Sequence, residues 1–146
     1  LNVDIDELVL SERGRSIFAA TEESRHGFTK FAGAWISSAN ARAATQADCR
    51  HAHFFLRDRL EEETCPPKWC IVPGPAGRWN HTWSVHNVFG AKFNRSLSDE
   101  FVYRHMKGIS NNWKYDRWDT AGADPDRFSE DRDLRWAFEG SGLVPA

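Results

Sequence analysis

The sequence predicts a mainly helical domain of the α+β class, with one small β-hairpin set between helices. Three observations lead there. Cys49, His53, Leu56 and Leu60 recur at i, i+4, i+7 and i+11, which is one face of a helix. Ser98 stands as an N-cap ahead of Val102, Met106 and Ile109, again at helical spacing. Between these segments Trp79, His81, Trp83 and Val85 alternate with polar neighbours, the period of a strand or hairpin.

In chain order, Asp4 to Ala20 carries Ile5, Leu8, Val9, Ile17 and Phe18 and reads as one or two short helices broken near Gly14. Phe28, Phe31 and Trp35 follow at helical spacing, weakened by Gly33. Residues 39–47 are small and polar and read as a loop or a poorly anchored helix. Asp48 is the expected N-cap of the strongest helix, which Glu61-Glu62-Glu63 and Pro66-Pro67 end. Turn residues at Pro73-Gly74-Pro75 and Ala76-Gly77 precede the hairpin over residues 79–88, so an insertion spans about residues 64–92. The helix opened by Ser98 runs toward Asn111-Asn112, with Gly108 near its stop. A last helix follows Asp124-Pro125, carries Phe128, Leu134, Arg135 and Phe138, and ends at Gly140-Ser141-Gly142.

The chain of 146 residues suits a single domain, residues 1–146, with one core. Hydrophobic residues make up 40% and aromatic residues 13%, too many for a disordered chain. Nineteen basic against 21 acidic residues give a net charge of -2, which argues against a dedicated nucleic-acid binder. The apolar runs are too short for a transmembrane helix. The chain opens at Leu1 rather than Met and carries the sequons Asn80-His81-Thr82 and Asn94-Arg95-Ser96. Both features fit a mature or trimmed piece of a secreted glycoprotein. Cys49, Cys65 and Cys70 make an odd set, with room for one bridge and one leftover thiol that is either buried or joined to another chain. Cys65 and Cys70 are spaced to close a small loop.

Two segments carry a family resemblance. Cys49-Arg50-His51-Ala52-His53-Phe54-Phe55-Leu56-Arg57-Asp58 resembles the C-x-R-H-D-F-x-Y-R-N helix of the secreted fungal and bacterial phospholipase A2 family, with matches at Cys49, Phe54 and Arg57. The segment from Asn94 to Met106 is similar to that family's second core helix through Asp99, Val102 and Met106. Trp35-Ile36-Ser37-Ser38 is similar to the stretch ahead of the family's calcium loop. The resemblance spans roughly Trp35 to Ile109 and implies a phospholipase A2-like antiparallel helix pair. In that family the histidine is general base to a water and the following aspartate binds calcium. Here those positions hold Ala52 and His53, and the calcium loop is missing from residues 40–48. Alanine accepts no proton, and calcium takes oxygen ligands. Asp99 is kept at the position that orients the base, and Cys49 needs a new partner in Cys65, Cys70 or another chain.

The resemblance therefore implies a secreted, fungal-type pseudoenzyme that acts by binding, like an effector or toxin, on an unknown protein or lipid target. Trp79, Trp83, Trp113 and Trp118 would supply an aromatic contact face, against the plainer role of core packing. A second reading is a divergent hydrolase of lipids or esters that pairs His51 or His53 with Asp99. His51 and His53 lie at i and i+2 on different helix faces, so one solvated and one packed histidine is the simpler account. Asp99 is equally explained as an acidic residue in the first turn of a helix. A third reading is a subunit of a disulfide-linked complex, from the odd cysteine. No cofactor and no metal is expected.

Overall fold

The computed structural model describes residues 1–38, 54–60, 65–73, 96–106 and 126–142. Its elements are β1 (Glu7–Ser11), α1 (Ile17–Glu23), β2 (Phe28–Ser38), β3 (Phe54–Asp58), β4 (Cys65–Ile71), β5 (Phe101–Met106), β6 (Phe128–Glu130) and α2 (Arg132–Ser141). Among the described residues 45% are in strands and 21% in helices, so the mainly helical reading is corrected to a mainly β fold. The strands form one mixed sheet in the order β1-β5-β2-β3-β6, with β4 also paired to β2. The phospholipase A2-like helix pair is absent among the described residues. Its second member is strand β5, and the described part of its first is strand β3.

Burial on both faces explains the misreading. In β5 residues Phe101, Tyr103, Arg104 and Met106 are all buried, so the alternation that marks a half-exposed strand is lost. The remaining spacing imitates a helix. The same holds for β2, where Phe28, Phe31 and Trp35 are buried along one long strand. Pro66 and Pro67 do not end a helix. They sit at the start of β4, where missing N–H donors are tolerated. The helix expected around Asp4 to Ala20 is instead β1 followed by α1, separated by a turn at Gly14 (φ 69°). The final helix is present as α2, but Phe128 lies ahead of it in β6. Asp48, Gly108 and the hairpin of residues 79–88 lie outside the described residues.

The chain divides into two compact units. The first comprises Leu1–Asp4, Val9–Gly33 and Cys65–Tyr103. Here β2 and β4 run antiparallel, with Thr29 opposite Cys70 and Phe31 opposite Lys68. Partners in register share a face. Helix α1 covers that face with Ile17, Ala20 and Thr21, the i, i+3, i+4 stripe of a one-sided helix. The Thr21 and Thr29 hydroxyls meet at 2.9 Å. On the opposite face Phe28, Trp69 and Ile71 pack together. Lys68 is fully buried, its ammonium 2.8 Å from Asp4. Tyr103 lies over Gly33 and donates its phenol O–H to the Pro66 carbonyl. A Cβ on Gly33 would stand 2.2 Å from that ring, so only glycine fits.

The second unit comprises Ile5–Leu8, Ala34–Thr64 and Arg104–Ala146. Strand β3 pairs with the end of β2 on one side and with β6 on the other. Asp131 follows β6 and caps α2, its Oδ1 accepting from the Leu134 amide at 3.1 Å. Gly142 ends α2 in the left-handed conformation (φ 72°). Leu134 and Phe138 are the buried stripe of the helix. Asp131 Oδ2 also accepts from the buried Arg104 Nε at 2.6 Å and faces Arg57 Nε at 3.4 Å. One carboxylate thus caps a helix and neutralises an arginine.

Two substitutions test this packing. Gly33→Ala is expected to destabilise by about 1–3 kcal/mol through overpacking. Thermal unfolding of the double variant with Tyr103→Leu should recover part of that loss; simple addition of the two losses would refute the contact. Asp131→Ala is expected to cost about 3–5 kcal/mol in urea unfolding, because Arg104 stays buried without its counter-charge.

Candidate functional site

The first unit contains an open cleft of about 600 Å³. Its apolar lining is Ala20 from α1, Phe28 from β2 and Phe101 from β5, all three buried, with the exposed Leu97 beside them. The remaining lining is polar or charged. Arg15, His26 and Lys30 contribute basic side chains, Glu23 and Glu100 carboxylates, and Ser24, Thr29, Ser96 and Ser98 hydroxyls. Several hydroxyls are already used to shape the backbone. Ser98 Oγ accepts from the Glu100 and Phe101 amides, which turns the chain into β5. Ser24 Oγ accepts from the Phe28 amide and donates to the Thr21 carbonyl, which joins α1 to β2.

Arg15 is the organising side chain of this cleft. The Gly14 turn folds the chain back after β1, and the Arg15 amide then donates to Ser11 Oγ at 3.1 Å. The guanidinium grips the buried Glu100 through two bonds, Nε at 2.9 Å and Nη2 at 2.6 Å. Its Nη1 reaches the exposed Glu23 at 2.9 Å. The fork geometry matches a carboxylate and is the stronger kind of ion pair. The hydrogen bond from Arg15 holds the Glu100 carboxyl below the usual carboxylate range against the opposing effect of burial, with added pull from the charges of Arg15 and Arg13. The same bond raises the Arg15 guanidinium above its ordinary value.

The residues singled out by sequence fall as follows. Asp99 has Arg13 as its ion-pair partner among the described residues, at 3.2 Å. It is exposed and lies one residue from the Arg15 partner Glu100. His51, His53, Cys49, Asn80, Asn94, Trp79, Trp83, Trp113 and Trp118 lie outside the described residues. Cys65 and Cys70 are both buried, and Cys70 is a free thiol. They stand five residues apart on one strand, about 16 Å at strand rise, so the small-loop bridge between them is ruled out by reach.

A second polar cluster sits in the second unit. His105 stacks on Trp35 with ring centroids 4.2 Å apart. Its Nε2 lies 3.2 Å from Asp6 Oδ2 and its Nδ1 3.4 Å from Glu7 Oε1. The two carboxylates flank opposite ring nitrogens, so they do not converge on a common point. Among the described residues no group of three or more His, Cys, Asp or Glu is placed to hold a metal ion. No described helix is long and apolar enough to cross a membrane.

Sequence reading missed both Arg15 and Glu100. They are 85 positions apart, and nothing at either position announces the other. Comparison with protein-family models, with curated proteins and with solved structures finds no match.

The Glu100 carboxyl gives a pH prediction. Its value is lower in the folded chain than in the unfolded one, so its contribution is complete above the ordinary glutamate range. That contribution is lost as pH falls through the lower folded value. Urea unfolding of the protein and of Glu100→Gln should differ by a constant amount above the ordinary glutamate range, and the gap should narrow as the pH is lowered below that range. A gap that is unchanged on acidification would contradict the Arg15 pairing.

Proposed function

We propose that this protein acts by binding a small polar molecule in the Arg15 cleft, without turning it over. The cleft itself carries this reading. Its volume falls in the range of about 300–1,000 Å³ usual for small-molecule sites. A buried apolar base with a few fixed polar groups is also the usual make-up of such sites. Arg15 supplies a cation whose orientation is set before any ligand arrives, so little ordering cost remains for binding. A binding role also agrees with the loss of the histidine and aspartate that the phospholipase A2 resemblance would require. It does not need the helix pair that is absent among the described residues. Secretion belongs to the same proposal and rests on the two sequons.

The test is a thermal-shift screen of the full chain against a panel of polyols, sugars, amino acids and organic acids. A true ligand at about a hundredfold excess over its Kd stabilises by about 2.7 kcal/mol, or roughly 5–10 °C in Tm. Leu97→Trp, which fills the cleft from an exposed position, should abolish the shift while leaving the unliganded Tm within about 2 °C. Failure of every compound, or a shift that survives Leu97→Trp, refutes the cleft. Consumption of the bound compound, or hydrolysis of phospholipid or ester, refutes the non-catalytic part.

A further inference from the structure

The geometry points to a specific ligand chemistry, and this inference rests on the cleft reading above. We infer that the outer edge of the Arg15 guanidinium receives a carboxylate or phosphate oxyanion of the ligand, and that Glu23 holds that edge as an internal competitor until the ligand displaces it.

Arginine has five N–H donors in a fixed plane. Glu100 takes Nε and Nη2 along one edge of the fork. Its side chain is only 5% exposed, and Ser11 Oγ approaches it at 3.5 Å, so this grip is anchored from behind. Glu23 takes a single N–H on Nη1. The end of the guanidinium, where Nη1 and the second N–H of Nη2 lie side by side, is the other edge suited to a bidentate oxyanion, and Glu23 meets that end through Nη1 alone. A ligand oxyanion on that edge makes two bonds where Glu23 makes one.

Glu23 is suited to yield. Its side chain is 68% exposed and belongs to the last residue of the seven-residue α1. An exposed single-bond ion pair holds weakly and is easily replaced by water. Glu100 is not replaceable in the same way, because its release would leave a buried carboxylate without a cation. The two glutamates therefore have different tasks on one arginine. The buried one aims it and the exposed one occupies it. Lys30 and His26 add basic side chains to the same lining, and the assignment does not depend on them.

The experiment is a calorimetric titration of the full chain at low ionic strength with succinate, with inorganic phosphate and with uncharged succinamide. The Arg15 Nε–H resonance is followed in parallel. Succinate or phosphate should bind and shift that resonance, and succinamide should do neither. Preference for succinate assigns a carboxylate ligand, and preference for phosphate a phosphate ligand. Glu23→Gln should tighten oxyanion binding by about two- to fivefold, since the competitor is gone. Glu22→Gln makes the same charge change outside the lining and should leave affinity unchanged. Arg15→Lys keeps the charge but loses the fork and should weaken binding at least about tenfold, with folding checked by Tm.

Equal effects of Glu23→Gln and Glu22→Gln overturn the competitor role, as does equal binding of succinamide. If neutral compounds from the thermal screen still bind in the cleft, the oxyanion assignment fails while the binding reading stands. If no probe binds in either experiment, both fail.

Discussion

Charged side chains leave water only when an opposite charge waits at hydrogen-bond distance, and this requirement governs how the chain is tied together. Glu100, Asp131 and Lys68 are each almost wholly buried. Their partners Arg15, Arg104 and Asp4 lie at 2.6, 2.6 and 2.8 Å. Removing water from an ion costs several kcal/mol, so a buried group that misses its partner is not tolerated. Each pair links segments distant in sequence, and each lies within one compact unit. The pairs therefore select which strands and turns come together, in addition to the non-directional pull of the aromatic core.

The same requirement gives the first unit its chemical character. A buried carboxylate needs a fixed cation, and arginine satisfies it with one edge of a planar fork. The opposite edge then points away from the carboxylate, already oriented. A lysine in that position would neutralise Glu100 but would leave no second directional edge. The Gly14 turn and the Ser11 hydroxyl complete the arrangement by fixing the backbone that carries Arg15. A structural clamp and a recognition surface thus share one side chain.

The reading of helices from this sequence failed where strands are covered on both faces. Strand β2 has α1 on its Thr29 side and the Phe28, Trp69 and Ile71 cluster on the other. Its apolar residues consequently lack the period of two that would have identified it. In β5 the buried Arg104 breaks the alternation for a different reason, since it is inside only because Asp131 meets it. Where burial is one-sided the reading succeeded. Leu134 and Phe138 at i and i+4, closed by Gly142, predicted the last helix, and α2 has that stripe and that cap.

By itself, the sequence determined the features that act over a few residues. These are the Gly14 break and the C-terminal helix with its glycine stop. Each depends on local backbone preference or on a hydrogen bond to an adjacent amide, which neighbouring residues decide alone. The tertiary structure decided that Phe101–Met106 is a strand, that Gly33 must be bare beneath Tyr103, and that Asp99 meets Arg13. It also decided that Arg15 and Glu100 form one site across 85 positions. Pairing between distant strands and the matching of buried charges depend on which segments meet in space, and local pattern carries no record of that.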